Sequence, residues 1–238
     1  MQNQSLPRHI GIIMDGNGRW AKKRGMPRSM GHRQGAKTFE KIVEQARERG
    51  IEYLTVYAFS TENRGRPPEE IGAIKNLLRQ YIDNTDKYRN DKTMRLHFLG
   101  DVSWIDDEYV LGKIGELERI YTERGNTAFT LNIAFNYGGR DELLRAMRLI
   151  AADYPQGAEK LTEQDVSQYL YTAGQPEVDL VIRTSGEIRI SNFMLWQAAY
   201  AEYIFTDTLW PDFSPEHFDA ALLEYSRRER RIGGIGNE

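Results

Sequence analysis

The chain has 238 residues, enough for one α/β domain, with 40% hydrophobic and 28% charged residues as in ordinary globular proteins. Its formal net charge of −3 argues against a general nucleic-acid-binding surface. The absence of cysteine excludes disulfides, thiolate catalysis and thiolate-held metals.

The first residues, Met-Gln-Asn-Gln-Ser-Leu-Pro, are polar and lack the apolar core of a signal peptide. No apolar run approaches the ~20 residues that a membrane-spanning helix needs, so a cytoplasmic protein is expected. A short β-branched strand is predicted from His9, running into Asp15-Gly-Asn-Gly-Arg19. Trp20-Ala-Lys-Lys-Arg24 then reads as a helical start. A strand, a glycine turn and a helix N-terminus together form an anion site, and Asp15 would repel a phosphate there unless a cation lay between them. The stretch therefore suggests a diphosphate with Mg²⁺, although it also suits a plain β-turn. Arg19, Lys22, Lys23, Arg24, Arg28, His32 and Arg33 follow, as phosphate clamps or as a solvated face.

Helical spacing is expected over 36–49, a strand over 51–59 ending at Ser60-Thr-Glu-Asn63, and a mobile loop at Arg64-Gly-Arg-Pro-Pro68. A long amphipathic helix follows over 69–87 and a strand over 94–99, in which His97 is expected to be structural. Further expectations are a helix over 104–124, a strand over 128–135, helices over 141–152 and 163–171, and a strand over 178–182. Helical structure from Asn192, a strand over 203–207 and a helix over 215–231 complete the chain. This alternation predicts an α/β fold: a single domain spanning 1–238, with a central mostly parallel β-sheet flanked by helices and flexible ends. Its polar clusters all fall at strand C-termini, which share one edge of such a sheet.

Arg183-Thr-Ser-Gly-Glu-Ile-Arg-Ile-Ser191 is a second cationic glycine turn, readable as an anion site or as surface ion pairs around Glu187. Glu202 is a candidate second carboxylate for the metal, or a surface residue. Two anion sites on one edge suggest two phosphorylated substrates, or one substrate with phosphates at both ends, and the chemistry reached from the residues is transfer between two (di)phosphates.

Five segments carry a family resemblance: His9 to Trp20, Gly31-His-Arg-Gln-Gly35, Phe59-Ser-Thr-Glu-Asn63 with Arg66-Pro67, Asn136-Tyr-Gly-Gly-Arg140, and Arg183-Thr-Ser-Gly-Glu187 through Leu209-Trp-Pro-Asp-Phe213. In this order they resemble the cis-prenyltransferases, and within them the bacterial undecaprenyl diphosphate synthase branch. The resemblance implies Mg²⁺-dependent condensation of isopentenyl diphosphate with an allylic prenyl diphosphate such as farnesyl diphosphate. The product would be a long-chain Z-polyprenyl diphosphate, of the kind that serves as a cell-wall lipid carrier, or a shorter one. It further implies a homodimer, a hydrophobic tunnel for the growing chain, and peripheral membrane contact through the lipid product.

By the same resemblance Asp15 and Asn63 are the catalytic positions, and Asp15 with Glu202 holds the metal. Gly16, Asn17, Gly18, Arg19, Trp20, Arg28 and His32 would bind or wall the allylic diphosphate. Ser60, Thr61, Glu62, Arg64 and Arg66 belong to the loop that closes over substrate. Arg183, Arg189, Ile190 and Ser191 would bind isopentenyl diphosphate. An amide is a poor base, so Asn63 reads as a positioning group. The family places a tryptophan where this chain has Arg64, which is expected either to face solvent or to fold inward as an extra phosphate ligand. The aromatic stretch Phe193 to Tyr203 reads as core or as dimer surface. The tail Arg230-Arg-Ile-Gly-Gly234 is expected to reach the partner subunit.

Overall fold

The structure, a computed structural model, describes residues 6–84, 93–124, 128–157 and 159–228. The expected role of the tail Arg230 to Gly234 lies outside these residues, as do the predicted ends of the helices at 85–87 and 229–231.

Six strands alternate with helices, except that the described residues form no helix between the last two. The strands are β1 (His9–Ile13), β2 (Tyr53–Ser60), β3 (Met94–Leu99), β4 (Phe129–Tyr137), β5 (Leu180–Arg183) and β6 (Glu202–Phe205). All pair in parallel, in the order β3-β4-β2-β1-β5-β6. The helices are α1 (Asn17–Lys23), α2 (Arg28–Glu48), α3 (Pro68–Asn84), α4 (Glu108–Arg124), α5 (Gly139–Asp153), α6 (Glu163–Ser167) and α7 (Pro215–Ser226).

Both sheet faces are covered, so the strands read as continuous apolar runs sorted by parity. Ile10 and Ile12 of β1, with Leu180 and Ile182 of β5, enter a core shared with Ile42, Ile74, Val110 and Phe218 of α2, α3, α4 and α7. Ile13 and Val181 face the other way, onto Val178, Phe193, Met194 and Ala198. His9 is fully buried, with Nε2 2.7 Å from Thr55 Oγ1 and Nδ1 2.9 Å from the Pro176 carbonyl. His97 is structural, its Nε2 lying 3.0 Å from the Tyr171 carbonyl.

Several boundaries depart from expectation for identifiable reasons. Helix α2 begins at Arg28, eight residues before Ala36, with Pro27 at its N-cap. Gly31 sits inside it because a Cβ there would meet the Asn17 carbonyl oxygen at 2.0 Å; only a glycine lets α1 and α2 approach so closely. The extension puts Arg28 and His32 four residues apart on one helix face. The loop after β2 is a 3₁₀ turn over Thr61–Gly65, and Pro68 starts α3, a position proline favours. Helix α6 is shorter than expected and stops at Ser167. The helix expected from Asn192 does not form: Ser191, Asn192 and Met194 have φ of 47°, 64° and 46°, incompatible with a right-handed helix. Asn192 instead accepts Gly139 N–H on its carbonyl at 2.7 Å and Arg140 N–H on Oδ1 at 2.9 Å, tying this segment to the start of α5.

Candidate functional site

Strands β1 and β5 are neighbours whose outgoing connections lead to opposite halves of the sheet, and open α/β sheets bind ligands at such a crevice. Register pairs Ile13 with Arg183, so the two glycine turns read separately in the sequence emerge side by side. Thr184 fastens them: its hydroxyl donates to the Asp15 carbonyl at 2.7 Å and accepts Asp15 N–H at 3.0 Å. Gly16 takes φ of 108°, which a side chain would disfavour, to turn the strand into α1.

The centre of the site is an ion pair. Arg183 Nη2 donates to Asp15 Oδ2 at 2.9 Å, while Arg183 Nη1 donates to the Arg189 carbonyl at 2.6 Å and to Ser191 Oγ at 2.7 Å. The Arg183 side chain is only 4% exposed, and its Nε–H has no partner among the described residues. Burial acts to raise the Asp15 carboxyl pKa, but Arg183 and Arg19 outweigh it and hold it below the usual range. Arg19 also donates to the Ser185 carbonyl at 3.0 Å and pairs with Glu187 at 3.1 Å. Arg189 is bound to Glu187 as well.

A cavity of about 790 Å³ opens at this point. Its mouth includes Asp15, Gly16, Asn17, Gly18, Arg19, Arg28 and His32, together with Ser60, Glu62, Asn63 and Arg66 of the β2 tip and Arg183, Arg189 and Ser191 of the β5 tip. Its interior is apolar, walled by Phe39 of α2, Ile74, Leu77, Leu78 and Tyr81 of α3, and Ile133 and Phe135 of β4. A cationic rim over an apolar interior suits an amphiphile with an anionic head.

Five expected residues are not part of this wall. Trp20 lies one step further around α1, turned away to donate its indole N–H to Asp212 Oδ1 at 2.7 Å beneath the Arg24 guanidinium. Thr61 donates to Glu62 at 3.3 Å, and Ile190 packs into the second core face. Arg64 does not fold inward toward the cavity, and its side chain is 43% exposed. It extends sideways, donating from Nε to Asn136 Oδ1 at 2.7 Å, with its guanidinium 5.8 Å from the Trp104 ring. Glu202 begins β6 opposite Leu180, three residues upstream of the level of Arg183, so roughly 10 Å of strand separates it from the β1 and β5 tips. There it pairs with Arg228 at 2.7 Å, and within one chain it is not beside Asp15.

Two residues that no motif singled out complete the geometry. Asn192 donates to Glu62 Oε1 at 2.8 Å, linking the β5 side of the cleft to the β2 tip. Glu70, in the first turn of α3, accepts from Arg28 at 2.9 Å and from Arg66 at 3.0 Å, with His32 Nε2 at 3.4 Å. Burial opposes its ionisation, but Arg66, Arg28 and His32 prevail and its pKa is lowered. His32 itself is lowered chiefly by burial. The spacing Arg66 to Glu70, i to i+4 at a helix start, was the one available signal.

Asp15 offers a hard oxygen donor beside these cations. Among the described residues no three His, Cys, Asp or Glu side chains gather into a metal cage. One carboxylate plus water and phosphate oxygens is a usual Mg²⁺ environment, so the donor set fits that ion between Asp15 and a diphosphate.

Residues 13–233 match the prenyltransferase family described as undecaprenyl diphosphate synthase. An isoprenyl transferase of Fusobacterium nucleatum is 50% identical over 235 residues, covering 98% of this chain and 99% of that one. One from Thermotoga maritima is 47% identical over 98% and 99% of the two chains. Among solved structures, lavandulyl diphosphate synthase from Lavandula x intermedia, in complex with dimethylallyl diphosphate, superimposes with a TM-score of 0.89 at 32% identity, covering 96% of this chain and 99% of that one. A probable undecaprenyl diphosphate synthase from Campylobacter jejuni gives 0.78 at 33% identity, over 97% and 99%. With near-complete coverage by relatives of such identity, and with its paired anion turns above an apolar cavity, the chain belongs to the undecaprenyl diphosphate synthase family of isoprenyl transferases.

Proposed function

We propose that this enzyme condenses isopentenyl diphosphate with an allylic diphosphate, farnesyl diphosphate being the expected primer, into a long-chain Z-polyprenyl diphosphate of undecaprenyl type. The observation that carries this reading is the Asp15–Arg183 pair, which joins two cationic turns at the mouth of one apolar cavity. Arg19, Arg28 and His32, with the backbone N–H groups of the Gly16–Gly18 turn, receive the allylic diphosphate. Arg183, Arg189 and Ser191 receive the isopentenyl diphosphate, and the apolar interior takes the prenyl chain.

The chemistry follows from charge. The allylic C1–O bond breaks and its electron pair leaves with diphosphate. The isopentenyl double bond attacks C1, and the resulting cation loses a proton from C2, to the departing diphosphate or to Asp15. The arginines stabilise the charge developing on the leaving group, and the apolar wall excludes water from the cation. Mg²⁺, when bound through Asp15, would supply further positive charge to the diphosphate. Asn63, whose Oδ1 lies 3.4 Å from Ser60 N, positions the closing segment rather than acting as a base.

Assembly as a homodimer is part of the same proposal. Supporting it are β6 at the edge of the sheet, Tyr200 with 64% exposure, and Glu202 left far from Asp15 within one chain. Phe193 is fully buried, stacked 4.7 Å from Tyr57, and belongs to the core. No helix of the described residues is long and apolar enough to cross a membrane, and contact with lipid would come through the product.

The test combines farnesyl diphosphate, radiolabelled isopentenyl diphosphate and Mg²⁺, with chain length read by chromatography. A ladder of Z-elongated products is the expected result. Absence of elongation with any allylic primer rejects the proposal, and products ending after a few additions would assign the chain to the short-chain synthases.

A further inference from the structure

Glu70 stands where a ligand is expected. Its side chain is 8% exposed, and its carboxylate touches Arg28 and Arg66 at 2.9 and 3.0 Å with His32 at 3.4 Å. These three groups come from two places in the chain: one face of α2, and the segment following β2. Two of them, Arg28 and His32, are assigned above to the allylic diphosphate, and Arg66 closes over it.

A helix first turn favours an acid, because unpaired N–H groups and the macrodipole stabilise it. That accounts for acidic residues at Glu69 and Glu70 alike, but not for one of them being enclosed by two guanidinium groups and an imidazole from outside its helix. The enclosure has an energetic consequence. A carboxylate held intramolecularly competes at a high effective concentration with any anion arriving from solution. The donors cannot serve both fully, so a phosphate group must replace Glu70 or share its partners with it.

We infer that Glu70 is a resident counter-anion of the diphosphate cradle, which gives up Arg28, Arg66 and His32 when a diphosphate binds and takes them back when it leaves. This rests on reading the cleft as a diphosphate site. In the empty enzyme Glu70 keeps the Arg28 and Arg66 charges from facing one another unneutralised. After each transfer it competes with the released inorganic diphosphate, lowers the affinity for that product, and so favours its release. The cost is a weaker grip on every anion by a common factor, since each must displace the same carboxylate.

Calorimetry of the full chain with inorganic diphosphate and with inorganic phosphate, in metal-free buffer of constant ionic strength, tests this. Glu70→Gln should tighten the binding of both by a similar factor, on the order of tenfold as one charge-assisted competitor is removed. Glu70→Asp, which retains the charge, should stay near the wild-type values. A purely structural role predicts the opposite sign, because donors deprived of their organiser would bind anions more weakly. Weakened or unchanged binding in folded Glu70→Gln overturns the inference. In the wild-type protein, the carboxyl ¹³C signal of Glu70 should shift on addition of inorganic diphosphate, and a silent signal at saturation overturns it without any variant. If the wild-type chain binds no inorganic diphosphate even with Mg²⁺ added, the diphosphate reading of the cleft falls, and this inference with it. If it binds and the variants do not differ, only the inference falls.

Discussion

Arg183 Nη2 lies 2.9 Å from Asp15 Oδ2, so the two anion turns, 168 residues apart in sequence, share one buried guanidinium. The residue expected to hold isopentenyl diphosphate thus also sets the charge state of the residue expected to hold Mg²⁺.

The first prediction concerns that pair. Asp15→Ala and Asp15→Asn should each lower kcat by about 10²–10³ or more, the scale of losing one main electrostatic contact at a reacting centre. The fold should be retained, because Asp15 stands at a strand tip. Arg183→Ala should raise KM for isopentenyl diphosphate, and its effect should not add to that of Asp15→Asn, since the residues touch. Steady-state kinetics of the two single variants and the double variant check this. Near-normal turnover of either Asp15 variant would rule out its central role.

Arg64 gives a second. Its Nε–H donates to Asn136 Oδ1 at 2.7 Å, and Asn136, held at φ of 50°, also donates to the Asp101 carbonyl at 2.7 Å. Arg64 therefore fastens the 3₁₀ turn to the tip of β4. Arg64→Ala should loosen that turn by about 0.5–1.5 kcal/mol, the net worth of one hydrogen bond, seen as faster amide exchange over residues 61–66. The salt dependence of diphosphate binding should not change, because Arg64 is not among the residues lining the cavity. A flatter salt dependence in the variant would restore Arg64 as a phosphate ligand.

A third prediction concerns product length. The Phe39 and Tyr81 rings meet edge to face, 5.2 Å apart, between α2 and α3. Tyr81 is eleven residues along α3 from Glu70, roughly 16 Å from the anionic end at the helical rise. The pair therefore lines the apolar part of the cavity, well away from its anionic end. Phe39→Ala combined with Tyr81→Ala should shift the product distribution to longer chains, read by chromatography. An unchanged distribution from the folded double variant would place the limit elsewhere.

His9 supplies a pH prediction. Burial pulls its pKa from 6.5 down to about 4, although its contact with the Pro176 carbonyl opposes this. The folded chain thus holds His9 neutral, and its contribution to stability is complete above pH 6.5. As pH falls from 6.5 toward 4, the unfolded chain takes up a proton that the folded chain refuses, and about 3 kcal/mol is lost. His9→Gln should flatten the fall in stability across that window in urea melts, and an unchanged slope would refute the assignment.

Residue order alone was enough to determine the six strands and most of the helices between them, though not the first turns of α2 or the helix-free link from β5 to β6. It also determined the direction in which each polar tip points and which turns carry cationic and glycine residues. Those are local properties: periodicity, turn chemistry and charge are written within a dozen residues. The family motifs added roles to Asp15 and Arg183 but did not show that the two touch. That contact needs β1 and β5 to be neighbours, a fact of sheet order rather than of either segment. The same holds for Arg64, whose partner Asn136 lies on another strand, and for the turn after Asn192, where hydrogen bonds to α5 outweigh helical spacing. Glu70 shows the difference most plainly. By sequence it is one acid among several at a helix start, and it becomes part of the site only because Gly31 lets α2 pack close to α1, and α2 then carries Arg28 and His32 to meet it. Local free energies set the elements, but the site is built from contacts between residues distant in sequence, and only the packing of those elements decides which side chains meet.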